Sequence, residues 1–292
     1  MKPRQFEYHR PRRLDEALGL LAEQGEEAKV IAGGQSLIPM LNFRLAAPAH
    51  LVDINAVEEL GTLTFTPDGV RIGATVRQHA LEQAPDAALS YPLLTSALGQ
   101  VAHLQIRNRG TVCGSLAHAD SAAELPATMV ALDATMVARS VRGERRIPAR
   151  EFFEFHLGTA LEADELLTAV EVPASPPRSA GTFVELARRA GDFALVGAAA
   201  QASFSEGGRV LAAALSCSGV APTPLLLEEA AAIATGSALE DEVLMEVDQA
   251  VRRAVDPPAD VHASASYRRV VAGTLARRAL GELRATREAH DG

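Results

Sequence analysis

The sequence predicts an α+β protein with more than one structural unit. Up to residue 173, short apolar runs of strand length alternate with helical patterns. Beyond residue 180, three strand-length runs precede three helical patterns, the order expected of an antiparallel sheet covered by helices. The stretch 173–179 between them is rich in proline and serine, which favours a linker. At 292 residues the chain is also too long for one small core.

The first unit is predicted to be a helix followed by a strand–loop–helix–strand pattern. Apolar residues recur at helical spacing between Leu14 and Glu23, and Gly25 ends that helix. The next elements are a strand, a helix that Ser36 can cap and a second strand, at 29–32, 36–43 and 51–54.

The middle of the chain contains two predicted hairpins separated by helices. Pro67-Asp68-Gly69 is a turn sequence between two strand-like runs, and Gly143 lies between two others. Thr75 can cap a helix that holds residues 78–81. The remaining elements before the linker are two helices and a strand, at 91–101, 122–132 and 165–172.

The part after the linker is predicted to contain three strands and then three helices. The strands lie at 181–188, 196–204 and 210–218, and the helices at 224–234, 239–255 and 264–284. The polar tail is expected to fray from Thr286. The predicted division is two subdomains, a linker, a C-terminal domain and a tail, at 1–55, 56–173, 174–180, 181–285 and 286–292.

Composition excludes several classes of function. The net charge of −9 argues against a nucleic-acid partner. No apolar run approaches the roughly 20 residues that span a bilayer, and the first residues lack the apolar core of a signal peptide, so a cytoplasmic protein is expected. Cys113 and Cys217 are too few for an iron–sulfur cluster or a structural zinc, and the histidines are scattered, so no metal site is expected.

Two glycine-bearing stretches, 32–39 and 106–120, are predicted to be loops and are the strongest candidates for a ligand site. Each combines glycine and hydroxyl residues with the start of a helix or strand. Because glycine has no Cβ, backbone N–H groups there can converge on an anion, and two such stretches suggest a pyrophosphate. Neither matches a standard phosphate signature, and alone Gly33-Gly34 is also typical of a tight strand-to-helix turn.

Three segments in this order resemble the FAD-binding medium subunit of molybdenum hydroxylases, the carbon monoxide dehydrogenase and xanthine dehydrogenase group. They are Ala32 to Met40, Ile72 to Thr75 and Ile106 to Asp120. The resemblance continues through 165–173 and 188–196 and covers essentially the whole chain. Several motifs in the correct order are more specific than any one of them.

The resemblance implies an FAD-binding domain of the vanillyl-alcohol-oxidase (PCMH) type with two subdomains. A C-terminal α+β domain, a three-stranded antiparallel sheet with helices, would follow it. The family assembles as a heterotrimer, and a dimer of heterotrimers is expected. A large subunit holds the molybdenum cofactor and hydroxylates the substrate, and a small subunit holds [2Fe-2S] clusters. This chain would hold FAD and pass electrons from the small subunit to an external acceptor, with no catalytic acid or base of its own.

The resemblance also implies which residues bind FAD. Two segments resemble the loops that hold the pyrophosphate, namely Ile31-Ala32-Gly33-Gly34-Gln35-Ser36-Leu37 and Thr111-Val112-Cys113-Gly114-Ser115. Glu124 stands where relatives place an acidic residue against the sugar-alcohol chain, and Leu167 where a strand backbone faces the isoalloxazine edge. Asp192 and Phe193 match a segment near the ring face. From sequence alone, Leu167 is equally typical of a core strand, and Phe193 is more often a core residue. Glu124 is also typical of a helix N-terminus.

Three positions depart from the family pattern. Cys113 stands where many relatives have glycine, and it is tolerated only if the backbone there avoids positive φ. Gln35 replaces a frequent histidine, and Val184 lies near a position where some relatives carry a lysine close to the flavin.

Two other interpretations remain open at this point. A stand-alone FAD-dependent oxidase acting directly on a small substrate would need a general base and a pocket, and no histidine or cysteine near the first glycine stretch is placed for covalent flavin attachment. A scaffold that has lost its cofactor would show damaged glycine stretches. The substrate of the complex and its electron acceptor are not encoded in recognisable motifs of this chain.

Overall fold

The computed structural model describes residues 2–291 and contains three main sheets with helices around them. The strands are β1 Glu7–His9, β2 Ala28–Ile31, β3 His50–Asp53, β4 Leu63–Thr66, β5 Gly69–Gly73, β6 Thr135–Ser140, β7 Gly143–Pro148, β8 Phe153–Phe155, β9 Gly158–Thr159, β10 Leu166–Pro173, β11 Ser179–Ala187, β12 Ala194–Phe204, β13 Val210–Ser218 and β14 Leu225–Leu226. The helices are α1 Leu14–Gln24, α2 Leu37–Phe43, α3 Gln78–Glu82, α4 Pro85–Ser90, α5 Pro92–Gln100, α6 Leu104–Arg107, α7 Val112–His118, α8 Glu124–Ala131, α9 Ala149–Phe152, α10 Glu228–Ala234, α11 Asp241–Ala254 and α12 Ala265–Asp291. The predicted α+β class is confirmed.

The first sheet is small, parallel and of order β1-β3-β2. Leu14, Ala17, Leu18 and Leu21 form one buried stripe of α1, which contacts β2 and β3. The strand β2 leads directly into the first glycine stretch, so the carboxyl end of this sheet presents that stretch.

The second sheet is antiparallel, with strand order β4-β5-β10-β6-β7. Its central strand β10 carries a bulge between Leu167 and Ala169, where the register against β6 shifts by one residue. The extra residue is Thr168, whose hydroxyl donates to the Val137 carbonyl oxygen at 3.0 Å and whose carbonyl accepts from the Ala74 N–H at 2.9 Å.

The third sheet, of order β11-β12-β13-β14, is covered on both faces. Alternate residues of β12 point to opposite faces, so Ala199 joins the core shared with α5 and α8 while Ala198 and Ala200 pack with α11 and α12. The helix α8 is buried along its whole length and contacts β12 and β13. The two-residue strand β14 adds a fourth strand to the three that were predicted.

Several local predictions were wrong. The residue before α3 is Arg77, so Thr75 does not cap that helix. Ser36 precedes α2, but its hydroxyl accepts no capping hydrogen bond from a backbone N–H of that helix. The second glycine stretch is not one loop, because α7 occupies Val112–His118. The tail is not frayed from Thr286, since α12 continues to Asp291. Within residues 2–291, no helix combines the length and apolar character needed to cross a bilayer.

Candidate functional site

The two glycine stretches, more than sixty residues apart in sequence, meet backbone to backbone. A Cβ atom placed on the buried Gly33 would lie 2.4 Å from the carbonyl oxygen of Arg109 and 2.8 Å from the Cα of Gly110. Such separations exclude every side chain at Gly33. The structure therefore joins the two stretches into one surface, as the pyrophosphate hypothesis requires.

The first stretch is a tight turn between β2 and α2. Ile31 is the last residue of β2, Ala32 to Ser36 form the turn, and Leu37 is the first residue of α2. Gly34 has φ +71°, which an L side chain rarely adopts. The Gln35 side-chain amide donates to the Gly33 carbonyl oxygen at 3.0 Å. Within residues 2–291, the backbone N–H groups of Gly34, Gln35 and Ser36 have no hydrogen-bond acceptor, so all three are available to an anion.

The second stretch presents the start of α7. The Thr111 hydroxyl accepts a hydrogen bond from the Gly114 N–H at 3.0 Å and so caps the helix. A Cβ on Gly114 would lie 2.6 Å from that hydroxyl oxygen, so a side chain there would displace the Thr111 hydroxyl from its present position. Gly114 itself is exposed and Ser115 half-buried, which leaves this helical turn open to a ligand.

Cys113 is a packing residue. It lies inside α7 without positive φ, so its departure from the family pattern carries no backbone strain. Its side chain is buried beside Val112, and burial raises the pKa of the thiol to about 12. A thiol of this kind is inert at neutral pH, which argues against any covalent role.

A polar network that sequence reasoning missed holds the two stretches together. The Asn55 side-chain amide donates to the Ala32 carbonyl oxygen at 2.8 Å, and Arg77 donates to the Asn55 side-chain oxygen at 2.7 Å. The same guanidinium donates to the Arg109 carbonyl oxygen, which belongs to the second stretch. No local motif marks Asn55 or Arg77, because their role depends on partners more than twenty residues away.

Two carboxyl groups lie together near the start of α8. Glu124 is only 7% exposed, and burial raises its pKa to about 7, with the nearby charge of Asp120 adding to the effect. Glu185 on β11 was not predicted as a site residue. Burial and then the charge of Glu124 raise its pKa to about 7, and among the described residues its Oε2 atom is buried without a hydrogen-bond partner.

Because the pKa values of both carboxyls are raised, we expect the free energy of unfolding to fall as pH rises. Glu124 holds its proton more tightly in the folded chain than in the unfolded chain, so its favourable effect is complete below pH 4.5 and is lost as pH passes about 7. We expect Glu124→Gln to match the wild type near pH 5 and to exceed its free energy of unfolding at pH 8 by on the order of 1–3 kcal/mol. Urea unfolding at both pH values measures this, with Glu242→Gln at an exposed position of α11 as the control. If the free energies of unfolding of Glu124→Gln and the wild type differed by the same amount at both pH values, the raised pKa of Glu124 would be contradicted.

A cavity of about 520 Å³ lies between the part of the chain before the predicted linker and the part after it. Its lining includes Asp120, Ser121, Arg188, Asp192 and Phe193. Asp192 pairs with Arg188 at 3.4 Å, and the Phe193 ring is 66% exposed at the mouth of this cavity.

The loop 188–193 lies against His103, which precedes the second glycine stretch. Gly191 has φ +83°, and a Cβ there would lie 2.2 Å from the ring of His103. Leu167, the remaining predicted contact, has its side chain buried in the core. Only its backbone beside the bulge can face a ligand. The structure thus brings the glycine stretches together and places Asp192 and Phe193 at the neighbouring cavity, whereas Leu167 is not among the cavity residues.

Two protein-family models match consecutive parts of this chain. Residues 4–175 match the FAD binding domain in molybdopterin dehydrogenase, and residues 181–283 match the CO dehydrogenase flavoprotein C-terminal domain. The chain is 41% identical to the 6-hydroxypseudooxynicotine dehydrogenase complex subunit alpha of Paenarthrobacter nicotinovorans, over 100% of both chains. It is 37% identical to the caffeine dehydrogenase subunit beta of a Pseudomonas species, over 96% of this chain and 95% of that one.

Solved structures agree with these matches. A chain of carbon monoxide dehydrogenase from Hydrogenophaga pseudoflava superposes with a TM-score of 0.94 at 36% identity, covering 98% of this chain and 99% of that one. A chain of quinoline 2-oxidoreductase from Pseudomonas putida superposes with a TM-score of 0.93, also at 36% identity and with the same coverage.

Proposed function

This chain belongs to the family of FAD-binding medium subunits of molybdenum hydroxylase complexes, and from that premise we propose that it is the electron-transfer subunit of such a complex. The observation that carries the proposal is the contact of Gly33 with Arg109 and Gly110, which joins the two distant stretches that we assign to the pyrophosphate. We retain the predicted domain division and the predicted FAD contacts as parts of the same proposal.

The residues at the site fit FAD. The free N–H groups of Gly34, Gln35 and Ser36 and the hydroxyls of Ser36 and Ser115 are donors suited to pyrophosphate oxygens. A protonated or ionised Glu124 can bond the hydroxyl groups of a sugar-alcohol chain. The exposed ring of Phe193 offers an apolar face for a flat aromatic group.

Bound FAD would supply the redox chemistry, accepting electrons one at a time and releasing them to an external acceptor. The chain's own residues position it and set its electrostatic surroundings. Gly33 and Gly110 allow close backbone approach, Thr111 fixes the start of α7, and Arg188 places a positive charge at the cavity. We assign no catalytic acid or base.

We infer partners from the named relatives. The sequence relatives cited above are subunits of dehydrogenases, and a large molybdenum subunit and a small [2Fe-2S] subunit in a dimer of heterotrimers suit this chain. Its two cysteines are buried and unpaired, so they are not available as cluster ligands. Unpaired cysteines also suit a reducing compartment, and we place the complex in the cytoplasm.

The experiment is a visible absorption spectrum of the chain purified alone, with the cofactor identified after denaturation. Released FAD at about one per chain, in a protein that oxidises no small substrate unaided, is the expected result. Co-purification with molybdenum and iron–sulfur subunits would complete the case. Covalently held flavin with direct substrate turnover would instead show a stand-alone oxidase, and a chain that binds no FAD under any condition would show a scaffold.

A further inference from the structure

A cluster of two histidines and a glutamate lies on the first sheet, apart from the glycine stretches. Glu7 and His9 are two residues apart on β1 and so point to the same face. His50 on β3 is the register partner of Glu7 in the parallel pairing of these strands. The pairing therefore places all three side chains on one face of the sheet.

The three ligand atoms have the separations that a small metal ion requires. His9 Nε2 lies 3.0 Å from His50 Nδ1, and Glu7 Oε2 lies 3.6 Å from His50 Nδ1 and 4.0 Å from His9 Nε2. The point equidistant from these atoms is about 2.1 Å from each, which is the usual zinc–nitrogen and zinc–oxygen bond length.

We propose that Glu7, His9 and His50 form a binding site for a divalent transition metal, with zinc as the reference ion. Two imidazoles and one carboxylate match the donor preferences of zinc and its neighbours rather than those of calcium or magnesium. Three protein ligands leave a fourth position for water. The imidazoles are mostly buried and the carboxylate is exposed, so the metal reaches the site from the Glu7 side.

The metal ties the three-residue strand β1 to the centre of its sheet. Without it, β1 depends on a short backbone ladder and on the hydrogen bond from the Tyr8 hydroxyl to the Asp53 carboxylate on the opposite face. The site is independent of the FAD proposal, because its ligands belong to neither glycine stretch nor the cavity.

The test is zinc binding by the full flavin-containing chain, prepared without a histidine tag and freed of metal by a chelator. Isothermal titration calorimetry is expected to show one zinc per chain, and X-ray absorption at the zinc edge to show two imidazole ligands. His50→Ala should weaken zinc binding by about 100-fold or more, since even outer-shell partners of a metal are worth 10–100-fold.

Matched variants keep the test decisive. Glu7→Gln alters an exposed side chain, so it should weaken zinc binding without unfolding the chain. His79→Gln removes a histidine from outside the cluster and should leave the stoichiometry and affinity unchanged. The proposal would be overturned if the wild type bound no zinc at micromolar concentrations, or if His50→Ala and Glu7→Gln bound zinc as tightly as the wild type. A simple histidine–histidine hydrogen bond would then remain.

Discussion

Gly33→Ala is expected to remove FAD from the chain while leaving its secondary structure in place. The added methyl group would lie 2.4 Å from the Arg109 carbonyl oxygen, and both partners are backbone atoms that no rotamer change can move. The two glycine stretches must separate to relieve the clash, which spreads the N–H donors that we assign to the pyrophosphate. We expect FAD affinity to fall by at least about 100-fold, or roughly 2.7 kcal/mol.

Flavin absorbance per chain after gel filtration, followed by fluorescence titration of the stripped protein with FAD, measures this loss. Gly19→Ala is the matched control, because Gly19 lies inside α1 and a Cβ there meets no atom within 4 Å. That control should keep its flavin and gain slightly in helix stability. Full flavin occupancy in Gly33→Ala would reject the assignment of this contact to FAD binding.

Phe183→Ala is expected to lower the free energy of unfolding of the chain strongly. The Phe183 ring is buried where β11 packs on α5, and the Ser96 hydroxyl on α5 accepts from the Phe183 N–H at 3.0 Å. The neighbouring Gly197 has no room for a side chain, since a Cβ there would lie 2.6 Å from the ring. Truncation therefore leaves a cavity between two parts of the chain and should cost about 3–5 kcal/mol.

Urea unfolding at equal flavin saturation measures this free energy. Phe155→Ala provides the control, because Phe155 is an exposed phenylalanine and its loss should change stability by about 0.5 kcal/mol or less. The proposed role of Phe183 in joining α5 to the third sheet would be wrong if both variants unfolded at the same urea concentration.

Sequence patterns predicted most elements because their signals are local. The helical spacing of α1, the turn tripeptide between β4 and β5, and the strand runs of β10 to β13 all depend on residues within a few positions of one another. The failures were also local. The second glycine stretch was read as a loop, although Thr111 followed by an apolar run is a helix start, and its hydroxyl does cap α7.

The family resemblance identified the chain's class, which the comparisons confirm. The individual FAD contacts remain predictions. The structure adds Asn55, Arg77 and Glu185 to the candidate residues, none of which belongs to a motif in the sequence.

The sequence by itself determined the glycine positions, most of the strands and helices, and the family. Only the tertiary structure decided that Gly33 touches Arg109, that Glu185 lies near Glu124, and that His9 meets His50. Local patterns report which face of an element is apolar, because that follows from a period of 2 or 3.6 residues. Which distant segments meet depends on how those faces pack together, and the ligand sites of this chain lie where such segments meet.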